Sequence, residues 1–117
     1  MALLAQAKQL PVRIGWSERD ALEALLAVTD SNLATLRAQG LPHALAGAFR
    51  HGDVGTVEGH LEAIEAVPGA MSIATPYRGV GQTATDLSFG AGLDEAAAAR
   101  LREVLDRPVD RSAGSMR

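Results

Sequence analysis

The chain contains no cysteine and few aromatic residues. The absence of cysteine in its 117 residues excludes disulfide bonds, thiol nucleophiles and thiolate metal sites. Aromatic residues make up only 3% of the sequence, whereas hydrophobic residues make up 47%. A core must therefore be built mainly from Leu, Val, Ile and Ala, a composition that favours packed helices over β-sheet.

An excess of positive charge and long hydrophobic runs are also missing. Fourteen acidic and eleven basic residues give a formal net charge of −3, so the chain offers no basic surface for the phosphate backbone of a nucleic acid. No apolar run approaches the roughly 18 residues of a membrane span, and the N-terminus lacks a signal-peptide pattern. We expect a soluble, cytoplasmic protein that binds neither nucleic acid nor a membrane.

Signals for cofactor and metal sites are weak. A dinucleotide-binding fingerprint needs a strand before its glycine-rich turn, and no strand-like segment precedes residues 79–81, Gly-Val-Gly. His43, His51 and His60 lack the spacing and the acidic partners of a metal site. His60 is expected to be half-buried and bonded to a carbonyl or to water. The sequence therefore predicts no catalytic residue, no metal and no cofactor bound by this chain.

Helical periodicity predicts the first half of an all-α domain. An apolar helix over residues 1–10 is expected to end at Pro11. Ser17 begins a capping-box pattern before a long helix that Gly40 and Pro42 terminate. Five leucines of this helix fall within one narrow arc: Leu22, Leu25, Leu26, Leu33 and Leu36.

The second half continues this pattern and brings the expected total to about five helices. Residues 41–53 predict a short helical turn and loop, after which Asp53 caps a helix that ends near residues 68–69. Pro76, Gly79 and Gly81 predict a late-starting or broken helix in the next segment. Asp94 caps the last helix. We therefore expect one helical domain over residues 1–107 and a flexible tail over residues 108–117.

Two groups of polar residues have a structural and a functional interpretation. Asp30 and Asn32 flank the apolar stripe of the long helix, so they either project into a cleft or form a solvated flank. Glu58, Glu62 and Glu65 lie on neighbouring turns opposite an apolar face, which predicts a solvated surface.

The segment over residues 42–61, PHALAGAFRHGDVGTVEGHL, resembles the signature of domain of unknown function 2520 (DUF2520). Ala46 and Ala48 stand where that family has threonine and proline, which removes a hydroxyl and a rigid turn from its characteristic loop. The similarity covers nearly the whole chain. It continues over residues 31–33, 77–78, 86–87 and 93–101.

The resemblance implies a fold like the C-terminal helical domain of 6-phosphogluconate dehydrogenase and ketopantoate reductase. In such proteins this domain follows a Rossmann-like NAD(P)-binding domain, forms one wall of the substrate cleft and contributes much of a dimer interface. The chain is then expected to be a C-terminal module that lacks its nucleotide-binding domain and is inactive alone. NAD(P) would be bound by the missing domain, and residues 1–10 look like the second half of the family's first helix.

Particular residues and partners follow from this resemblance. Asn32 is expected to be a polar substrate contact, Gly47 a backbone position that substrate approaches closely, and Asp53 a helix cap. The expected partners are a second copy of the chain and a Rossmann-like domain. Two alternatives stay open: a stand-alone homodimeric interaction protein, and a small-ligand-binding protein with a cavity between the long helix and residues 76–81.

Overall fold

A computed structural model describes residues 1–41, 43–69 and 71–108, which form six helices and no strand. The predicted all-α class is confirmed, and the sixth helix is the short turn expected between residues 41 and 53. Most of the predicted tail, residues 109–117, lies outside the described residues, while Pro108 is exposed. The helices are α1 (Ala2–Arg13), α2 (Glu18–Gln39), α3 (Ala48–His51), α4 (Val54–Glu65), α5 (Met71–Gly90) and α6 (Glu95–Asp106).

The predicted caps form. The Ser17 hydroxyl accepts a hydrogen bond from a backbone N–H of α2 at 3.1 Å, and the Asp94 carboxylate accepts one from α6 at 2.8 Å. Asp53 likewise accepts a bond from the backbone N–H of Thr56 at 3.1 Å. Gly40 ends α2 at a φ of +68°, in the left-handed region that favours glycine. Local sequence therefore determines where three helices begin and where the longest one ends.

The Asp53 cap is expected to make folding stability sensitive to acid. Its carboxylate accepts bonds from the hydroxyl and the backbone N–H of Thr56, and these lower the pKa of Asp53 below its usual 3.8. Its stabilising contribution is thus present above the unfolded pKa and is lost as pH falls through the lower folded pKa. Thermal melts at neutral pH and about pH 3 should show a smaller acid-induced loss for Asp53→Asn, which has no charge to titrate. Equal losses in variant and parent would contradict this.

Helix α1 passes through the proline that was expected to end it. It continues to Arg13 with Pro11 inside its last turn, so the predicted end at residue 10 is wrong. The Pro11 carbonyl accepts a bond from the backbone N–H of Trp16 at 3.0 Å, and this bond helps to close the helix end. Proline removes one N–H and crowds the carbonyl four residues before it, and α1 continues for only two residues beyond this position.

Helix α5 is also continuous, so the predicted break over its proline and glycines is wrong. It is the central helix and packs against α1, α3, α4 and α6. Gly81 is buried there, where an added Cβ would lie 2.9 Å from Leu105 Cδ2 and 3.0 Å from Phe49 Cζ. The glycine permits this close packing, and tertiary contacts outweigh the low helix propensity of Pro76 and its neighbours.

The core lies between α4, α5 and α6 and is aliphatic, as the composition predicts. A smaller cluster around Ile64 and Ala74 joins α4 and α5 to α1 through Leu10. Thr85 and Ser88, the buried polar residues among those described, bond back to carbonyls of α5 at 2.8 Å. The main cluster consists of Val57, Leu61, Leu101, Val104 and Leu105.

Helix α2 is the least covered of the long helices. It packs mainly against α1, and Ala21 is its one buried residue. Leu22, Leu26, Leu33 and Leu36 each leave between 37% and 44% of their surface exposed. The apolar stripe recognised in the sequence is therefore only partly covered in the single chain.

Candidate functional site

An open apolar groove runs along α5, with α1 on one side and α4 on the other. Its volume is about 630 Å³, within the range of small-molecule sites. Gly81 and Pro76 belong to its floor. The segment that the sequence predicted as a late-starting or broken helix therefore forms part of the site. The wall from α1 consists of Leu3, Gln6, Ala7 and Leu10, and the wall from α4 consists of His60, Ala63 and Ile64.

Among the residues that the structure describes, no Asp, Glu, Lys or Arg side chain lines the groove. Its polar side chains are Gln6, His60 and Tyr77, and the other side chains that line it are hydrocarbon. A ligand with a full charge would lose hydration there without gaining an ionic partner. The groove therefore suits a neutral, largely apolar molecule.

His60 and Tyr77 form the polar point of the groove. His60 Nδ1 lies 3.0 Å from the Tyr77 hydroxyl, and the two rings meet edge to face. His60 is exposed and bonded to a hydroxyl, so the expectation of a half-buried histidine bonded to a carbonyl or water is wrong. Burial raises the pKa of Tyr77 above its usual 10.0, which keeps the phenol protonated at neutral pH. In the tautomer with the proton on Nδ1, His60 donates to the Tyr77 oxygen, which leaves the Tyr77 O–H to donate to a ligand carbonyl or hydroxyl.

A polar clamp behind the groove fixes the helices that frame it. Arg78 donates from Nη2 to Glu65 at 2.5 Å and from Nη1 to the carbonyls of Val104 and Leu105 at 3.2 and 2.9 Å. It therefore ties α5 to both α4 and the end of α6. Glu65 is only 26% exposed, and the prediction of a solvated acidic face is wrong for this residue.

The comparisons with known proteins identify the chain's family. A family model described as Domain of unknown function (DUF2520) matches residues 1–84. The chain belongs to this family. No curated protein and no solved structure matches it. Every residue that lines the groove falls within the matched segment, whereas the similarity expected over residues 86–87 and 93–101 lies beyond it.

The predicted substrate contacts of this DUF2520 chain lie away from the groove. Asn32 is exposed on α2, and Gly47 precedes α3 with a φ of +85°. Neither residue lines the groove, and an added Cβ at Gly47 would meet no atom within 4 Å. Their roles as substrate contacts stay predictions. Asp30 is likewise exposed on α2.

The cavity of the ligand-binding alternative exists, but its walls differ from those expected. The cavity lies along residues 76–81 of the DUF2520 chain, as expected. Its other walls come from α1 and α4, however, and no residue of the long helix α2 lines it. Tyr77, the one tyrosine of the chain, belongs to the family resemblance over residues 77–78 but was not predicted as a site residue. Its signal was a polar aromatic residue on an apolar helical face, but its pairing with a histidine 17 positions away requires the fold.

Other sites considered from the sequence can be placed as well. The Gly-Val-Gly segment lies inside α5 and forms no phosphate-binding loop. Across residues 1–41, 43–69 and 71–108, no group of three or more His, Cys, Asp or Glu residues is placed to hold a metal ion. None of the helices in these ranges combines the length and the hydropathy needed to cross a membrane.

Proposed function

We propose that this chain is the substrate-cleft and dimerisation module of an NAD(P)-dependent oxidoreductase. The groove along α5 would form one wall of the substrate cleft. A Rossmann-like domain outside this chain would complete the enzyme. When bound to that domain, NAD(P) would supply the hydride. The chain by itself is expected to be inactive and to bind no nucleotide.

The observation that carries this proposal is the groove without charged side chains, in which His60 and Tyr77 form a hydrogen-bonded pair. Its hydrocarbon walls can hold the body of a substrate, and the His60–Tyr77 pair can hydrogen-bond an oxygen at the reacting carbon. A carbonyl and the alcohol formed from it both make such bonds, so the pair can hold substrate and product alike. We infer a neutral, mainly apolar carbonyl compound or alcohol as the substrate class.

Thermal melts of the chain with small probes test the proposal. We expect 2-octanone to raise the melting temperature, and octanoate and octylammonium to have little effect because the groove offers no ionic partner. NADPH should leave the melting temperature unchanged. Stabilisation by NADPH, or by octanoate as strongly as by 2-octanone, would overturn the proposal.

Tyr77→Phe is expected to weaken 2-octanone binding about tenfold, because it removes a hydrogen bond to the carbonyl while keeping the ring. Toluene, which has no oxygen, serves as the matched ligand, and its affinity should not change. Calorimetric titration of the parent and variant chains measures both ligands. Equal weakening for both ligands, or no weakening for either, would contradict a hydrogen bond from Tyr77 to the carbonyl.

A stand-alone homodimeric interaction protein is the second candidate. The partly exposed leucines of α2 favour it, because a surface of this kind suits another protein chain. The two proposals differ in whether a Rossmann domain is expected to be fused to this helical domain or encoded beside it. A Rossmann domain fused to close relatives, or encoded in an adjacent reading frame, would favour the oxidoreductase module.

A further inference from the structure

The exposed leucines of α2 follow a spacing that is typical of coiled coils. Positions 22, 26, 29, 33 and 36 alternate steps of four and three residues, which is the spacing of a heptad seam over two repeats. Leucine occupies four of these positions and Thr29 the central one. The Thr29 hydroxyl donates to the Leu25 carbonyl at 2.7 Å, so it needs no partner across the seam.

This seam does not coincide with the surface by which α2 packs on its own chain. Ala21 is the buried residue of α2, whereas the seam leucines remain between 37% and 44% exposed. At about 100° per residue, Leu22, Leu26 and Leu33 lie more than a quarter turn from Ala21 around the helix, and the other two seam positions, 29 and 36, lie closer to it. A second helix can therefore cover the seam while α1 stays in place.

We propose that α2 pairs through this seam with α2 of a second copy, in an antiparallel, two-fold symmetric contact. The inference rests on the dimerisation proposed above and names the surface that performs it. A contact of this type is self-complementary, so the same leucines serve both partners.

Charges on one flank of the seam favour the antiparallel orientation. Glu23 lies beside the seam at one end and Arg37 at the other, so antiparallel helices bring Glu23 of each copy toward Arg37 of the other. Asp30 lies midway between them and approaches Asp30 of the other copy. This one like-charge contact is set against two favourable Glu23–Arg37 contacts. Parallel helices would instead place Glu23 beside Glu18 of the other copy, a like-charge contact made twice.

Sedimentation equilibrium of the full chain tests the seam. We expect a dimer, and we expect Leu26→Lys and Leu33→Lys to weaken it at least tenfold, on the order of the effect of charging an interface centre. Ala27→Lys and Ala34→Lys place the same charge on exposed positions outside the seam and should leave the dimer intact. All four positions are exposed, so helical content and melting behaviour should confirm that each monomer still folds.

The outcomes separate this inference from the proposed function. A dimeric parent whose seam variants remain dimeric would overturn the seam and leave dimerisation through another surface. A parent that is monomeric throughout would overturn the seam together with the dimerisation proposal. Neither result changes the expected binding of 2-octanone in the groove, since α2 does not line it.

Thiol crosslinking tests the orientation, because the chain has no cysteine of its own. Leu22→Cys and Leu36→Cys lie roughly 21 Å apart along the helix axis. With a bismaleimide that spans about 10 Å, an antiparallel pair should crosslink in a mixture of the two variants and only weakly in either variant alone. A parallel pair would crosslink in each variant alone, which would overturn the proposed orientation.

Discussion

Replacing Gly81 with valine is expected to destabilise the folded chain by about 2–3 kcal/mol. A Cβ at this position would lie 2.9 Å from Leu105 Cδ2 and 3.0 Å from Phe49 Cζ, so α5 would have to move away from α3 and α6. Leu105 is buried and can relax only with its neighbours. Urea unfolding of the variant and the parent measures the difference in the free energy of unfolding.

Gly79→Val is the matched control on the same helix. An added Cβ at Gly79 meets no atom within 4 Å, so this variant should be within about 0.5 kcal/mol of the parent. A similar loss at both positions would show that a valine in α5 is costly in itself. The close packing of α5 on α6 would then not be the reason that Gly81 is needed.

Arg78→Ala is expected to cost about 2–3 kcal/mol of stability. The substitution leaves Glu65 without its cation and removes the donor to the carbonyls of Val104 and Leu105, in a region where Arg78 is only 17% exposed. Arg78 Nε is buried without a hydrogen-bond partner, which reduces what the intact clamp contributes. Denaturant unfolding at neutral pH measures the loss.

Arg107→Ala tests whether burial is what matters. Arg107 bonds Glu58, another carboxylate of α4, at 3.2 Å, but the two side chains are 55% and 38% exposed. This variant should lose less than about 1 kcal/mol, because solvent screens an exposed pair. An equal loss for Arg78→Ala and Arg107→Ala would contradict the clamp, as would little loss for either.

Local features of the fold could be predicted because each depends on neighbouring residues. Ser17, Asp53 and Asp94 each bond to N–H groups no more than three residues further along the chain. The stop at Gly40 likewise reflects a conformation that the residue itself favours. The starts of α2, α4 and α6, the α2 stop and the all-α class were therefore recognisable from the sequence.

The continuity of α5 could not be predicted in this way. Its proline and glycines weaken an isolated helix, and only the neighbours on several sides compensate for them. From the sequence alone, Gly81 predicts a helix break. Only the positions of Leu105 and Phe49 show that the glycine permits close packing of α5. The same is true of Pro11, whose effect depends on how close it lies to the end of α1.

The candidate site depends even more on long-range contacts. Its walls come from α1, α4 and α5, and its polar point joins His60 to a tyrosine in another helix. Family resemblance pointed to Asn32 and Gly47 instead, which lie outside the groove. A sequence can show that a residue is polar within an apolar surface, but it does not show which other surface that residue meets.

The position of α1 links the groove to the exposed helix. Helix α1 lines the groove and is also the helix on which α2 packs. Two hydrogen bonds help to hold α1 to the rest of the chain, one from Arg13 to the Pro68 carbonyl and one between Gln9 and Ser72. We expect these two helices to open locally as a hairpin more readily than the core between α4 and α6, because α1 has no buried residue and α2 has only Ala21. A molecule lodged between α1 and α5 would fasten the hairpin to the core and slow its opening. Occupancy of the groove would thereby steady the α2 surface that is proposed to pair with a second copy.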